Sequence, residues 1–228
     1  MKRLFNGGWS FWCGEPDSDV SEAGKHLAEF QKVDLPHDWL IADAKNLYRD
    51  GCGFYRKIFS MQPKENKRYS LIFEGVYMDT TIWVNEQQAG EWKYGYSTFE
   101  IDLTPFVKAG ENEILVSVNF RSPNSRWYSG CGIYRHVWLT KTMKTAYIPQ
   151  WGQYVATSPQ GDVRVKVDFA ASGKKMKLSV RNTIYDAAGK IVAKSQGVRE
   201  QKLKELEDHL DAAVELAAQC GVSALELM

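Results

Sequence analysis

The chain has 228 residues, with 29 Lys and Arg against 28 Asp and Glu, and a net charge of +1 leaves no electrostatic footprint for nucleic acid or an anionic membrane. At 44% hydrophobic and 25% charged residues, the composition is that of a globular protein and not of a disordered chain. Length excludes more, because a (β/α)8 catalytic barrel alone takes about 250 residues and little else would fit beside one.

The opening Met1–Trp9 carries Lys2 and Arg3 but no apolar h-region and no small-residue cleavage site. No stretch approaches the ~18 consecutive apolar residues of a membrane span, so a cytoplasmic chain is the expectation. Strand signals follow in order. Tyr69–Glu74 leads to Gly75, and Thr80–Val84 leads to the turn Asn85-Glu86. Glu113–Val118 alternates after the polar turn Lys108–Asn112, and His136–Thr140 reads as a further strand. Short β segments punctuated by Gly, Pro and Asn predict an all-β fold over 1–145, a sandwich or jelly roll.

A second β pattern occupies 146–197. Asp162–Phe169 alternates with period two, Lys177–Asp186 follows, and Ala187–Lys190 is a turn before Ile191–Ala193. That is about half of the seven strands of an immunoglobulin-like sandwich, with edges left bare. All eight tryptophans lie between Trp9 and Trp151, and no aromatic residue follows Tyr185. Over 198–228 the period changes. Leu203, Leu206, Leu210, Val214 and Ala217 recur at steps of three or four, Glu200 faces Lys204 at i,i+4, and Gly221 is a stop. The pattern predicts an amphipathic helix that packs on its own domain, self-associates, or forms a tail without stable order.

Cys13, Cys52, Cys131 and Cys220 are scattered without CxxC spacing, which favours free thiols. His26, His37, His136 and His209 are equally dispersed, so no metal site is legible. No GxGxxG or P-loop is present, and no cofactor is implied.

One stretch is specific. Pro123-Asn124-Ser125-Arg126-Trp127-Tyr128-Ser129-Gly130-Cys131-Gly132-Ile133-Tyr134-Arg135-His136-Val137-Trp138-Leu139 resembles the signature of the N-terminal sugar-binding domain of glycoside hydrolase family 2. Val33–Trp39, Gly53–Lys57, Phe73–Asp79 and Phe99–Phe106 agree in order and spacing, while Glu86 stands where the family usually has Gly. The family comprises β-galactosidases, β-glucuronidases and β-mannosidases. The resemblance implies a jelly-roll sandwich, then an immunoglobulin-like domain, then a (β/α)8 barrel that holds both catalytic glutamates. These act as acid/base and nucleophile in a retaining mechanism, with carboxylates about 5 Å apart. The chain is expected to end before that barrel. Glu205, Glu207, Asp208 and Glu215 read as a solvated helix face and not as a catalytic pair.

The resemblance also implies two rim positions that contact the terminal sugar, Asp50 and Arg126. A carboxylate or guanidinium fixes sugar hydroxyls through charge-assisted or bidentate hydrogen bonds. Asp50 in Arg49-Asp50-Gly51 is equally explained as a turn residue, and Arg126 as a loop-bracing ion pair. Trp127 either stacks on a pyranose face or plugs the sandwich, and Tyr128 is read as a plug. Trp92, Tyr94 and Tyr96 share a face if they lie on a strand, and are read as packing more than as a carbohydrate platform. Arg135 is a candidate partner for Asp79.

Two functions follow. In the first, the chain is the N-terminal portion of a β-galactosidase-like hydrolase, silent alone and completed by a barrel. In the alternative it is a stand-alone non-catalytic protein that binds carbohydrate or oligomerises. The expected partners are a β-glycoside or glycan end together with the barrel or a second copy, and neither nucleic acid nor membrane.

Overall fold

The computed structural model describes residues 1–43, 45–123, 128–171, 176–201 and 212–216, without the side chains of 176–177, 196–201 and 212–216. The chain divides into two compact units, Met1–Thr142 and Met143–Met228.

The first unit begins with β1 (Lys2–Leu4), β2 (Trp9–Gly14), helix α1 (Val20–Lys25) and β3 (Gln31–Val33). It continues through β4 (Gly51–Met61), β5 (Lys67–Phe73), β6 (Thr80–Val84) and β7 (Gln87–Trp92). It closes with β8 (Phe99–Asp102), β9 (Gly110–Phe120) and β10 (Val137–Met143). Among the described residues these make two sheets, ordered β1-β10-β5-β8 and β3-β2-β4-β9-β6-β7. The expected all-β sandwich is what forms.

Alternation builds its core. Leu71, Phe73 and Val137 of one sheet face Ile82, Val84, Ile114, Val116 and Val118 of the other, with Trp9 and Tyr55 among them, all at most 1% exposed. Each such side chain contributes roughly 1.5–3 kcal/mol by leaving water. The Trp9 indole N–H donates to the Phe5 carbonyl at 2.9 Å, so its one polar atom is satisfied.

Gly51–Tyr55 departs from alternation, since all five residues are buried. The second face is covered by α1, which packs Ala23 against Cys52, Phe54 and Leu115, with Trp12, Val20 and Phe30 at the margin. Asp19 caps α1 by accepting the Glu22 N–H at 2.9 Å. At the other end, the His26 ring stacks on Trp12 at 4.5 Å between the carboxylates of Glu22 and Glu29. Hydrogen bonds to those carboxylates hold the imidazole above its usual pKa.

The β6–β7 turn shows why Gly is usual at the position of Glu86. Asn85 and Glu86 both take positive φ, 49° and 67°, as a two-residue hairpin of the primed type requires. Asn85 anchors the turn. Its amide donates to the Phe106 and Asn112 oxygens at 2.9 Å and accepts the Glu113 N–H at 3.0 Å.

The second unit contains β11 (Ala146–Tyr147), β12 (Gln153–Thr157), β13 (Val163–Val167), β14 (Ala170–Ala171), β15 (Met176–Tyr185), β16 (Ile191–Gln201) and β17 (Ala212–Leu216). Val163, Val165 and Val167 are buried against Phe169, Val180 and Ile184, and Arg164 points out.

Here the structure corrects the helix expected over 198–228. Arg199–Gln201 completes β16, and Ala212–Leu216 pairs antiparallel with β13 from Val163↔Leu216 to Val167↔Ala212. Ala212, Val214 and Leu216 also fit period two, and the free edge of β13 offers backbone partners that outweigh a modest helix propensity. Residues 202–211 and 217–228 of that expected helix lie outside the described residues, with Glu205, Glu207 and Asp208 among them.

Candidate functional site

The site is built where β4 starts and β9 ends. These strands pair in unbroken register from Gly51↔Phe120 to Met61↔Gly110. That register sets Asp50, just before β4, beside Arg121 and Ser122, just after β9. The Asp50 Oδ1 accepts the Ser122 N–H at 2.7 Å, while Oδ2 lies 3.9 Å from the Arg121 guanidinium. Arg121 also pairs with Asp17, and its hydrogen bond holds the Asp17 carboxyl below the usual range. The Asp50 side chain is 34% exposed, so a carboxylate pinned through one oxygen remains partly open to solvent.

Arg126 and Trp127 lie outside the described residues. Their flanks are described. Ser122 is held by Asp50 on one side, and Tyr128 is held by Asp38 on the other. Asp38 is a hub. Its Oδ1 accepts the Leu40 and Ile41 N–H groups at 3.0 and 3.3 Å and the Cys131 thiol at 3.1 Å. Its Oδ2 accepts the Tyr128 hydroxyl and, at 3.2 Å, the Cys131 N–H. Burial, reinforced by the facing carboxylate, pushes the Tyr128 phenol and the Cys131 thiol well above their ordinary values. Both therefore stay protonated and donate.

Sequence reasoning assigns Asp38 no role. Its short Asx turn to Leu40 is a local signal, but its partners 90 and 93 positions away are visible only in the fold. Tyr128 packs with Leu40, Tyr77, Phe120 and Cys131, as a plug should.

Beneath the hub, Gly132 takes a φ of 89° and lies against Tyr55 and His37. The buried Tyr55 hydroxyl donates to the His37 carbonyl at 3.3 Å and accepts the Ile133 N–H at 3.4 Å. Tyr77 and Gly132 exchange backbone hydrogen bonds at 3.0 and 2.9 Å, which ties the 75–79 turn to the same layer.

Two expectations are corrected. Arg135 is exposed, and Asp79 pairs with Lys93 at 2.7 Å instead. Strand β7 ends at Trp92, so Tyr94 and Tyr96 belong to the following turn, and both are exposed. Among the described residues, no group of three or more His, Cys, Asp or Glu is arranged to hold a metal ion. The described cysteines Cys13, Cys52 and Cys131 are free thiols, and burial raises the pKa of each. What the arrangement offers is a part-exposed carboxylate fixed through one oxygen, able to accept a further hydrogen bond.

The profile of glycosyl hydrolases family 2, sugar binding domain, matches residues 28–143. A β-galactosidase of Bacteroides ovatus is 35% identical over 210 residues, covering 84% of this chain and 24% of the relative. A β-glucuronidase of Bacteroides fragilis is 35% identical over 132 residues, covering 52% of this chain and 19% of the relative. The crystal structure of a glycosyl hydrolase family 2 member from Bacteroides cellulosilyticus superposes with a TM-score of 0.79 at 30% identity, covering 95% of this chain and 31% of that one. The chain thus spans about a quarter of the length of these curated relatives.

Proposed function

Because this chain belongs to glycosyl hydrolase family 2 through its sugar-binding domain, we propose that it supplies the rim of a glycoside site in a β-galactosidase-like hydrolase. Cleavage of the O-glycosidic bond is assigned to a barrel outside the chain. Asp50 carries the reading. The β4–β9 register fixes it beside Ser122, at the base of the stretch that contains Arg126 and Trp127.

In this reading a sugar hydroxyl donates to the open side of the Asp50 carboxylate, Arg126 donates to a ring or hydroxyl oxygen, and Trp127 covers an apolar pyranose face. The bracing by Ser122, Arg121 and Asp38 is what gives such contacts value, since a rim group already in place loses little entropy on binding. The chain is proposed to be cytoplasmic and silent by itself. Its partner is the barrel, and its ligand is the non-reducing end of a β-glycoside.

The test is a chimera in which this chain replaces the matching segment of the Bacteroides ovatus β-galactosidase. Asp50→Ala and Arg126→Ala are each expected to lower kcat/KM for a nitrophenyl β-galactoside roughly 10- to 100-fold. That is the effect of losing a hydrogen bond to a charged group, about 1.5–3 kcal/mol. An active chimera indifferent to both substitutions would remove Asp50 and Arg126 from the rim.

A further inference from the structure

The turn that leaves β7, Trp92-Lys93-Tyr94-Gly95-Tyr96-Ser97-Thr98, exposes its aromatic residues: Trp92 is 38%, Tyr94 61% and Tyr96 48% accessible. The backbone of the turn, Tyr96 and Trp92 are nonetheless held in place. A Cβ on Gly95 would stand 2.2 Å from the Tyr77 ring, so the backbone of the turn is pressed onto that ring. The Tyr134 hydroxyl donates to the Gly95 carbonyl at 2.8 Å. Tyr96 packs on Tyr77 with ring centres 5.0 Å apart, and its hydroxyl reaches the Ser129 carbonyl at 3.5 Å. Trp92 stacks on Phe99 at 5.5 Å and donates its indole N–H to the Ser97 hydroxyl at 3.0 Å. Tyr94 meets Tyr96 edge to face at 5.9 Å, and its neighbour in sequence, Lys93, pairs with Asp79.

We propose that this turn is a second carbohydrate contact, a platform for one pyranose ring of a β-linked oligosaccharide. An apolar sugar face needs a flat, fixed aromatic surface, and its hydroxyls need charged partners at the edge. Tyr94, propped by Tyr96, provides the first, and the Asp79–Lys93 pair is the charged group that the same turn carries. The turn exposes aromatic rings with polar tips and contains no Val, Leu, Ile or Met, which distinguishes it from a surface built to join a protein core. The profile matched over 28–143, which includes the turn, is that of a sugar binding domain. The platform uses neither Asp50 nor Arg126, so it stands or falls apart from the rim.

Calorimetry and saturation-transfer NMR on the whole chain, with β-1,4-linked galactotriose and cellotriose as probes, test the proposal. At least one trisaccharide should bind, with saturation strongest at axial ring C–H protons. Tyr94→Ala should weaken binding at least fivefold and Tyr94→Phe should retain it. Tyr185→Ala, at an exposed tyrosine of the second unit, should leave it unchanged. Three results would overturn it. One is no binding at millimolar sugar. Another is binding lost in Asp50→Ala but kept in Tyr94→Ala. The third is a Tyr94→Ala effect confined to self-association in sedimentation.

Discussion

Gly132→Ala is expected to destabilise the first unit by about 3 kcal/mol or more, lowering Tm by roughly 10 °C. Two effects add. At a φ of 89° an L side chain crowds its own backbone, which costs on the order of 1–3 kcal/mol. The new methyl would also stand 2.2 Å from the Tyr55 hydroxyl and 2.8 Å from the His37 carbonyl. Neither can give way. Tyr55 is fully buried, its hydroxyl bridges His37 and Ile133, and the second obstacle is backbone. Overpacking of this kind costs about 1–3 kcal/mol. Gly110→Ala isolates the first effect, because Gly110 has a φ of 90° with nothing within 4 Å of an added Cβ. Thermal unfolding of both variants should show Gly132→Ala losing at least twice as much as Gly110→Ala. Equal losses would mean that the Tyr55 layer is looser than the structure shows.

Asp38→Ala should cost about 3 kcal/mol as well, for a different reason. The substitution strands the Leu40 and Cys131 N–H groups and the Tyr128 hydroxyl in a part-buried layer, and unpaired donors there lose their full desolvation energy. It also has a local signature. Cys131 is buried, and its thiol is held protonated by burial and by the Asp38 charge. Removing that charge and opening the 128–131 turn should speed labelling of Cys131 by a thiol reagent at least tenfold, read by mass spectrometry of the labelled peptide. Asp38→Asn keeps one acceptor oxygen and should fall between. An unchanged Cys131 rate in Asp38→Ala, with a stability loss under about 1 kcal/mol, would show that the hub does not hold the turn.

Much of the sandwich is legible in the sequence because inward and outward positions alternate. Thr80–Val84 shows this plainly, and Glu113–Val118 shows it except at Leu115, which is buried under α1; both are strands. Legibility fails where a strand is covered on both faces. Cys52 and Phe54 erase the period in β4 because α1 lies over them, and a six-residue helix gives only its capping pattern, Asp19 with Glu22 three positions on. At 212–216 the failure is of another kind, because the spacing of Val214 satisfies a helix while Ala212, Val214 and Leu216 also satisfy a strand. Pairing with β13 decides between them.

Of the site, Asp50 is reached through resemblance alone. What holds it there, the Ser122 N–H and the Arg121 guanidinium, depends on the β4–β9 register, which no local pattern encodes. Asp38 is hidden for the same reason. The exposure of Tyr94 follows from β7 ending at Trp92, before the alternation of aromatic residues does.

In the proposed function the chain shapes a glycoside site without performing the cleavage. Hydrolysis of nitrophenyl β-galactoside and nitrophenyl β-glucuronide by the purified chain tests it most directly. No turnover above the buffer rate is expected. Turnover that persists through purification to homogeneity, and that falls in Asp50→Ala or Arg126→Ala, would contradict it.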